Sequence, residues 1–381
     1  LDLVKFLAPE FVFGLGARKL AGRYAKNLGA RRLLVVSDPG LVAAGWVDEI
    51  AALLRQEGVP YVPFVEVHAN PRVEDCELGA EIYESEGCDA LLSIGGGSPT
   101  DCAKGIGILS ANPGPLSAYE GIDRIPRPGP PLVCVPTTAG ASADVSQFAI
   151  IREVASRRKM AIVSRMLVPD IALIDPEVTR TMDPALSSAT GVDALVHAIE
   201  AYVSNASSPI TDIHALEALR IIPTALPAAI ADPDDLEARA LMSRASMEAG
   251  LAFSNAILGA VHAMAHAVGG FFDSPHGECN AMLLPEVARA NFPSAPGRYR
   301  DVAAAVGLGG FEGGGGDGEL MAAELRDLVR RLSAGGKLSD LGVSREDLVP
   351  LAELALSDPC MLTNPRRFAR EEVASIYERC L

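Results

Sequence analysis

The sequence has no basic block and no surplus of positive charge: 33 Lys and Arg stand against 49 Asp and Glu, a formal net charge of −16 over 381 residues. Such a chain repels nucleic acid and anionic membrane surfaces, and neither is expected as a partner. An anionic cofactor is still compatible, provided backbone N–H groups and one or two local cations hold it. No uninterrupted run of 18 or more apolar residues occurs, which excludes a simple spanning helix at this stage. The opening LDLVKFLAPEF has neither the basic stretch nor the long apolar stretch of a secretory leader and is read as unexported. Cysteine is sparse and unpaired: Cys76, Cys88, Cys102, Cys134, Cys279, Cys360 and Cys380 are scattered, odd in number and without a CxxC. That pattern argues against a disulfide framework or a zinc ribbon, and a reducing cytoplasm is expected.

Histidine is also scarce, and its distribution is informative. Four of the six histidines fall in two short windows, TGVDALVHAIE with Asp193 and His197, and GAVHAMAHAVGGFFDSPHGE with His262, His266 and His276. Residues four apart share one helix face, so Asp193 can converge with His197, and His262 with His266. Gly269-Gly270 reads as a helix stop, after which Pro275-His276-Gly277 can bring a third imidazole back. One carboxylate and several imidazoles suit Zn²⁺ or Fe²⁺ and are too nitrogen-rich for Ca²⁺ or Mg²⁺. His68 and His214 stand alone and are assigned structural roles.

The composition, 49% hydrophobic with mean hydropathy +0.22, suits a well-packed chain of two domains. β-Branched runs at 31–38, 61–67, 90–98, 132–138 and 170–176 alternate with amphipathic helical stretches, the signature of a parallel sheet covered by helices. Beyond residue 180 an alanine- and leucine-rich helical periodicity takes over. The expected organisation is an α/β dinucleotide-binding domain over 1–181 with a Rossmann-like parallel sheet, then an all-helical metal-binding domain over 182–381. The stretch FEGGGGDGEL (311–320) reads as a surface loop.

Within the first half, SIGGGSPTDCAKGIG places three glycines after a β run, with Ser98 as a cap and Pro99 in the first helical turn, a cradle for a pyrophosphate. FGLGARKLAG imitates the GxGxxG fingerprint but has Lys19 at its last position and is set aside. Asp38 ends the run RRLLVVSD, where a carboxylate accepts from an adenosine ribose and repels a 2′-phosphate, favouring NAD over NADP; the competing reading is a turn residue before Pro39-Gly40. Thr137, Thr138 and Ser142 in VPTTAGASADVS can donate to phosphate or amide groups. The stretch RRKMA reads as helical and carries Lys159, a cation for the same purpose.

Taken together, GGGSPTD, PTTAG, the DAxxHAxE of Asp193 to Glu200, and HxxxH followed by PHG closely resemble the metal-dependent, iron-containing (group III) alcohol dehydrogenases, a family that includes lactaldehyde reductase and 1,3-propanediol dehydrogenase. The resemblance runs from LAPEFVFGLGA to TNPRRF at 363–368. It implies an architecture like that of dehydroquinate synthase, with NAD and a divalent metal as cofactors, Fe²⁺ by family or else Zn²⁺. By the resemblance, Asp193, His197, His262 and His276 match the metal ligands, and His266 lies beside the ion. Asp38 matches the NAD-selecting position. Asn70, Gly96, Gly97, Ser98, Asp101, Thr137, Thr138, Ser142, Lys159 and the segment from Val178 to Met182 match cofactor contacts.

The expected chemistry is reversible hydride transfer between a small primary alcohol or diol and NAD, with the metal as Lewis acid and His266 as a proton relay. Glu200, seven residues from Asp193, is expected to support a ligand or the packing. Phe148 stands where some relatives carry a polar residue near the nicotinamide, so the resemblance leaves the substrate open. The alternatives are a glycerol dehydrogenase-like or dehydroquinate synthase-like enzyme, or a non-catalytic protein that keeps the fold. A lyase acting on a sugar phosphate calls for several cations at the metal, and neither histidine window contains Lys or Arg. A homodimer or larger assembly is expected from the alanine-rich helical surfaces.

Overall fold

A computed structural model describes residues 4–311, 316–333 and 335–381. The chain divides into two compact units. One holds the sheet. The other holds everything from Met182 onward, together with the N-terminal residues up to Phe6 and the three residues Arg157–Lys159.

The sheet unit is built on β1 (Glu10–Phe13), β2 (Leu33–Val36), β3 (Tyr61–Phe64), β4 (Ala90–Gly95), β5 (Gly121–Ile122), β6 (Leu132–Pro136), β7 (Phe148–Glu153), β8 (Arg158–Val163) and β9 (Ile171–Ile174). Six of these form a parallel sheet in the order β1-β9-β6-β4-β2-β3, with Leu33 opposite Ala90 and Leu91 opposite Leu132. Its central strands are buried along their whole length, which explains why they read as continuous apolar runs. Alternation still operates beneath that uniformity. Leu34, Val36, Leu91 and Cys134 pack on one face with Cys76, Cys102 and Ile106 of the helices Val73–Ser85 and Gly97–Ala111. Leu33, Val35, Leu92 and Val133 pack on the other with Ala21, Ala25, Ile50 and Leu54 of the helices Ala21–Asn27 and Trp46–Gln56. The chain leaves β2 toward β3 on one side and returns to β4 on the other, so the crevice beyond the carboxyl ends of β2 and β4 is the place where open sheets of this kind bind ligands.

One expectation is overturned here, and two features are new. β1 and the small sheet β5-β8-β7 were not read from sequence. RRKMA is not helical: Arg158–Val163 is strand β8, with Met160 and Ile162 buried in the core. Pairing with β7 and burial outweigh the local propensity of a charged stretch.

Nine α-helices make up the second unit among the described residues, and the longest three, Pro184–Val203, Pro209–Ala231 and Leu236–Ala256, pack together. Each begins on a polar cap: Asp183, Ser208 and Asp235 accept from backbone N–H groups of their first turns. Pro209–Ala231 is long and apolar enough to cross a membrane by length and composition, but it is a core helix carrying Asp212, Glu217 and Arg220. The segment 311–320 is only partly a loop, since a helix starts at Asp317; residues 312–315 lie outside the described residues.

Gly269-Gly270 does not stop its helix, which runs from Ala260 to Phe272 and ends where Asp273 turns left-handed at φ 57°. The glycines serve close approach instead. A Cβ on Gly270 would lie 2.6 Å from the Lys159 backbone nitrogen and 2.7 Å from Arg158 Cα. Arg157 adds a hydrogen bond from its guanidinium to Phe271 O at 3.0 Å, closing a C-terminal carbonyl of the helix. Because the obstructing atoms are backbone, Gly270→Ala is expected to destabilise the protein by about 1–3 kcal/mol, read as a lowered unfolding midpoint in urea; an unchanged midpoint would show that the hairpin yields.

Candidate metal centre

Asp193 and His197 lie one turn apart on the helix Pro184–Val203 and are almost fully buried. His262 is in the first turn of Ala260–Phe272, and His276 is the first residue of the helix His276–Asn291, after Pro275. Three separate helices therefore deliver side chains to one point. Asp193 Oδ1 is the hub: His262 Nε2 stands 3.6 Å from it, His276 Nε2 3.7 Å and His197 Nε2 3.9 Å. The ligand-capable atoms of Asp193, His262 and His276 all fall within 4.8 Å of one another.

These separations fit a shared cation. Ligand atoms about 2.1 Å from one ion at tetrahedral angles lie about 3.4 Å apart, close to the separations of the His262 and His276 Nε2 atoms from Asp193 Oδ1, while His197 stands a little further out. The donor chemistry agrees: three imidazole nitrogens and one carboxylate oxygen, with no thiol among them. Burial pushes the Asp193 carboxyl upward, yet His197, His276 and His262 hold it well below the ordinary carboxylate value, so it is an anion. Although burial lowers His262, Asp193 and Glu200 raise it to about 9. Desolvation, with Lys159 and the other imidazoles adding to it against Asp193, keeps His276 well below the usual imidazole value and hence neutral. Lys159 is a cation that sequence reading did not place at the metal windows, and it belongs to the same unit as the histidines.

The surroundings supply three residues that sequence reasoning missed. Asn280, one turn after His276 and fully buried, donates from Nδ2 to Asp193 Oδ1 at 2.6 Å, with the same nitrogen 3.3 Å from His262 Nε2 and 3.2 Å from His276 Nε2. One carboxylate oxygen and two imidazole nitrogens thus face one amide group, as they would face a cation. Asp358 accepts from His266 Nδ1 at 2.8 Å. Asn364 Oδ1 accepts from Ala260 N at 3.1 Å. The i,i+4 spacing of His276 and Asn280 was a legible signal; Asp358 and Asn364 approach from nearly a hundred residues away and had none. Glu200 accepts from Gly259 N, Val261 N, His262 N and His262 Nδ1. His266 itself is buried, its ring stacked on His276 with centroids 5.2 Å apart.

The other candidate residues lie mostly at the carboxyl ends of the strands in the sheet unit. Gly96 is the N-cap of the helix Gly97–Ala111, and no side chain caps its first turn, as suits a helix start that receives an anion. Ser98 does not cap: its hydroxyl donates to Ala69 O, beside Asn70. A Cβ on Gly96 would lie 3.0 Å from Thr138, and one on Gly97 3.0 Å from Ala141, so the glycine loop and the Thr137-Thr138 loop are pressed together. Ser142, in the left-handed region at φ 51°, donates to Gly140 O at 3.1 Å. Asp101 accepts from Ile150 N at 3.1 Å, tying its helix to β7. Asp38 caps the short helix Pro39–Ala43, accepting from Leu41 N at 3.1 Å. Val178 is buried in the 3-10 segment Pro176–Thr181, and Met182 is buried in the helical unit. Lys159, the remaining candidate, lies in the short stretch Arg157–Lys159 that clusters with the helical unit.

A glycine loop opening a helix at a parallel sheet's switch point and a buried cluster of Asp and His side chains able to hold an ion suit a metal- and dinucleotide-using enzyme. Family models agree: residues 8–176 match iron-containing alcohol dehydrogenase, and residues 187–381 match the C-terminal part of the Fe-containing alcohol dehydrogenase family. The chain belongs to the iron-containing alcohol dehydrogenases, oxidoreductases that act on alcohols. It is 41% identical to a 1,3-propanediol dehydrogenase of Citrobacter freundii, with 98% of each chain covered. It is 35% identical to an NAD-dependent methanol dehydrogenase of Bacillus methanolicus, with 99% of each covered. A crystal structure of a 1,3-propanediol oxidoreductase superposes at a TM-score of 0.94 with 38% identity, covering all of both chains. Family membership implies NAD and a metal as cofactors and an alcohol or aldehyde as substrate.

Asp193→Ala removes the hub of the set. Metal analysis of protein from iron- or zinc-supplemented cultures is expected to find no stoichiometric ion in this variant while its far-ultraviolet circular dichroism stays that of the wild type; full metal content would place the ion elsewhere.

Proposed function

We propose that the chain reversibly transfers hydride between a small primary alcohol or diol and NAD, with Asp193, His197, His262 and His276 holding the metal. The observation that carries this reading is the convergence of three imidazole Nε2 atoms on Asp193 Oδ1. Fe²⁺ is the ion we favour from the family's character, although a set of three nitrogens and one oxygen binds Zn²⁺ more tightly, so supply decides occupancy. When bound, the ion supplies a Lewis acid for the substrate oxygen, and NAD supplies the hydride carrier.

The chain's own residues do the rest. Four protein ligands leave room for a substrate oxygen at the same centre. His266 handles the alcohol proton: its Nδ1 is engaged by Asp358, which leaves Nε2 as the atom that accepts or returns a proton. Asp358 stays an anion for this purpose; burial raises it, but His266 and the Cys360 backbone N–H keep it below its ordinary value. On the dinucleotide side, the open first turn at Gly96, Gly97 and Ser98 takes the pyrophosphate, with Thr137, Thr138, Ser142 and Asp101 around it, and Asn70, Val178 and Met182 complete the cofactor contacts in this reading. Lys159 adds positive charge on the histidine side.

Asp38 faces two demands. One oxygen already caps a helix, and the carboxylate's negative charge disfavours a 2′-phosphate. The proposal extends to a homodimer or larger assembly and to a cytoplasmic setting, which seven free and buried cysteines support. Replacement of Asp38 by Gly is expected to narrow the preference for NAD⁺ over NADP⁺, measured as the ratio of the two kcat/KM values; an unchanged ratio would restrict Asp38 to its capping role.

A further inference from the structure

The carboxylate of Glu200 does two things at once. It is 4% exposed and sits at the opening of the helix Ala260–Phe272. Oε1 accepts from Val261 N at 2.7 Å, while Oε2 accepts from Gly259 N at 3.0 Å and His262 N at 3.3 Å. The same Oε2 lies 2.7 Å from His262 Nδ1. An ionised carboxylate has lone pairs and no hydrogen, so the last contact requires the proton on Nδ1. An ion displaces the other ring proton, at Nε2, and the lone pair so freed is on the atom that faces Asp193 Oδ1 at 3.6 Å.

We propose that Glu200 is a positioning residue for metal binding, which selects the His262 tautomer and aims its Nε2 into the ligand set. The inference rests on the reading of Asp193, His197, His262 and His276 as ligands. The same carboxylate caps the positive end of the helix, so one side chain serves both the fold and the site. Asn364 provides an internal comparison. It caps the same helix end through Ala260 N and pairs with Asn291 at 2.8 Å and 2.9 Å, but none of its hydrogen bonds reaches an imidazole. Loss of capping and loss of ligand orientation can therefore be separated.

The test measures Zn²⁺ affinity of metal-stripped protein by chelator competition, alongside the urea unfolding midpoint of the same metal-free samples. Glu200→Gln is expected to weaken Zn²⁺ binding about 10- to 100-fold, whereas Asn364→Ala lowers the unfolding midpoint and leaves Zn²⁺ affinity near that of the wild type. Glu200→Asp, which keeps the charge but is one methylene shorter, is read in the same way should Glu200→Gln not fold. Wild-type affinity in the Glu200 variant, or affinity losses that follow unfolding midpoints equally in both variants, would overturn the proposal. Failure of the underlying ligand reading is distinguishable, because Asp193→Ala would then keep wild-type Zn²⁺ affinity.

Discussion

The four N–H groups that open the helix Ala260–Phe272 have no acceptors within their own helix, and burial denies them water. Glu200 takes those of Gly259, Val261 and His262, and Asn364 takes that of Ala260. The count is complete. Leaving one such group unpaired in the interior costs about 1–3 kcal/mol, so each acceptor stabilises the start of the helix at this place. His262 lies in that first turn and His266 one turn later, and the position of both therefore depends on the cap. The segment that supplies Asn364 also supplies Asp358 to His266, while Thr363 Oγ1 donates to Leu258 O at 2.7 Å. A residue stretch near the C-terminus thus braces the histidine pair along one side, and the helix Pro184–Val203 braces it along the other.

Much of this was legible from residues close together in sequence, and little from residues far apart. The i,i+4 pairs Asp193/His197 and His262/His266 were visible because helix geometry converts spacing into direction. The apolar runs of β2, β4, β6 and β9 were visible because burial on both faces leaves an uninterrupted signal. β8 was misread as helical, since nothing local in RRKMA shows that β7 will pair with it. Gly269-Gly270 was misread as a stop, because a glycine that admits a crossing backbone and one that ends a helix look the same in sequence. Ser98 caps nothing and binds Ala69 O instead, a contact set by how two loops meet.

The division of the chain into two units matches a division of chemistry. Backbone N–H groups in the sheet unit suit an anion, in keeping with a strongly acidic chain that has few cations to spare. Side-chain lone pairs in the helical unit suit a cation, and the imidazoles around Asp193 hold its charge against the cost of burial. Lys159 departs from this pattern. It is the second residue of β8 and packs onto Gly269 and Gly270, where it makes His276 harder to protonate.

The central claim is that the metal is held by three imidazoles and one carboxylate that already converge in the folded chain. X-ray absorption at the metal edge of the zinc- or iron-loaded protein tests it most directly. The account predicts a first coordination shell of nitrogen and oxygen only, at about 2.0–2.2 Å, with the outer scattering characteristic of imidazole rings. A sulfur neighbour at about 2.3 Å would contradict it, because it would assign the ion to a cysteine such as Cys360, in the neighbouring cluster with His266 and Asp358, rather than to Asp193 and its histidines.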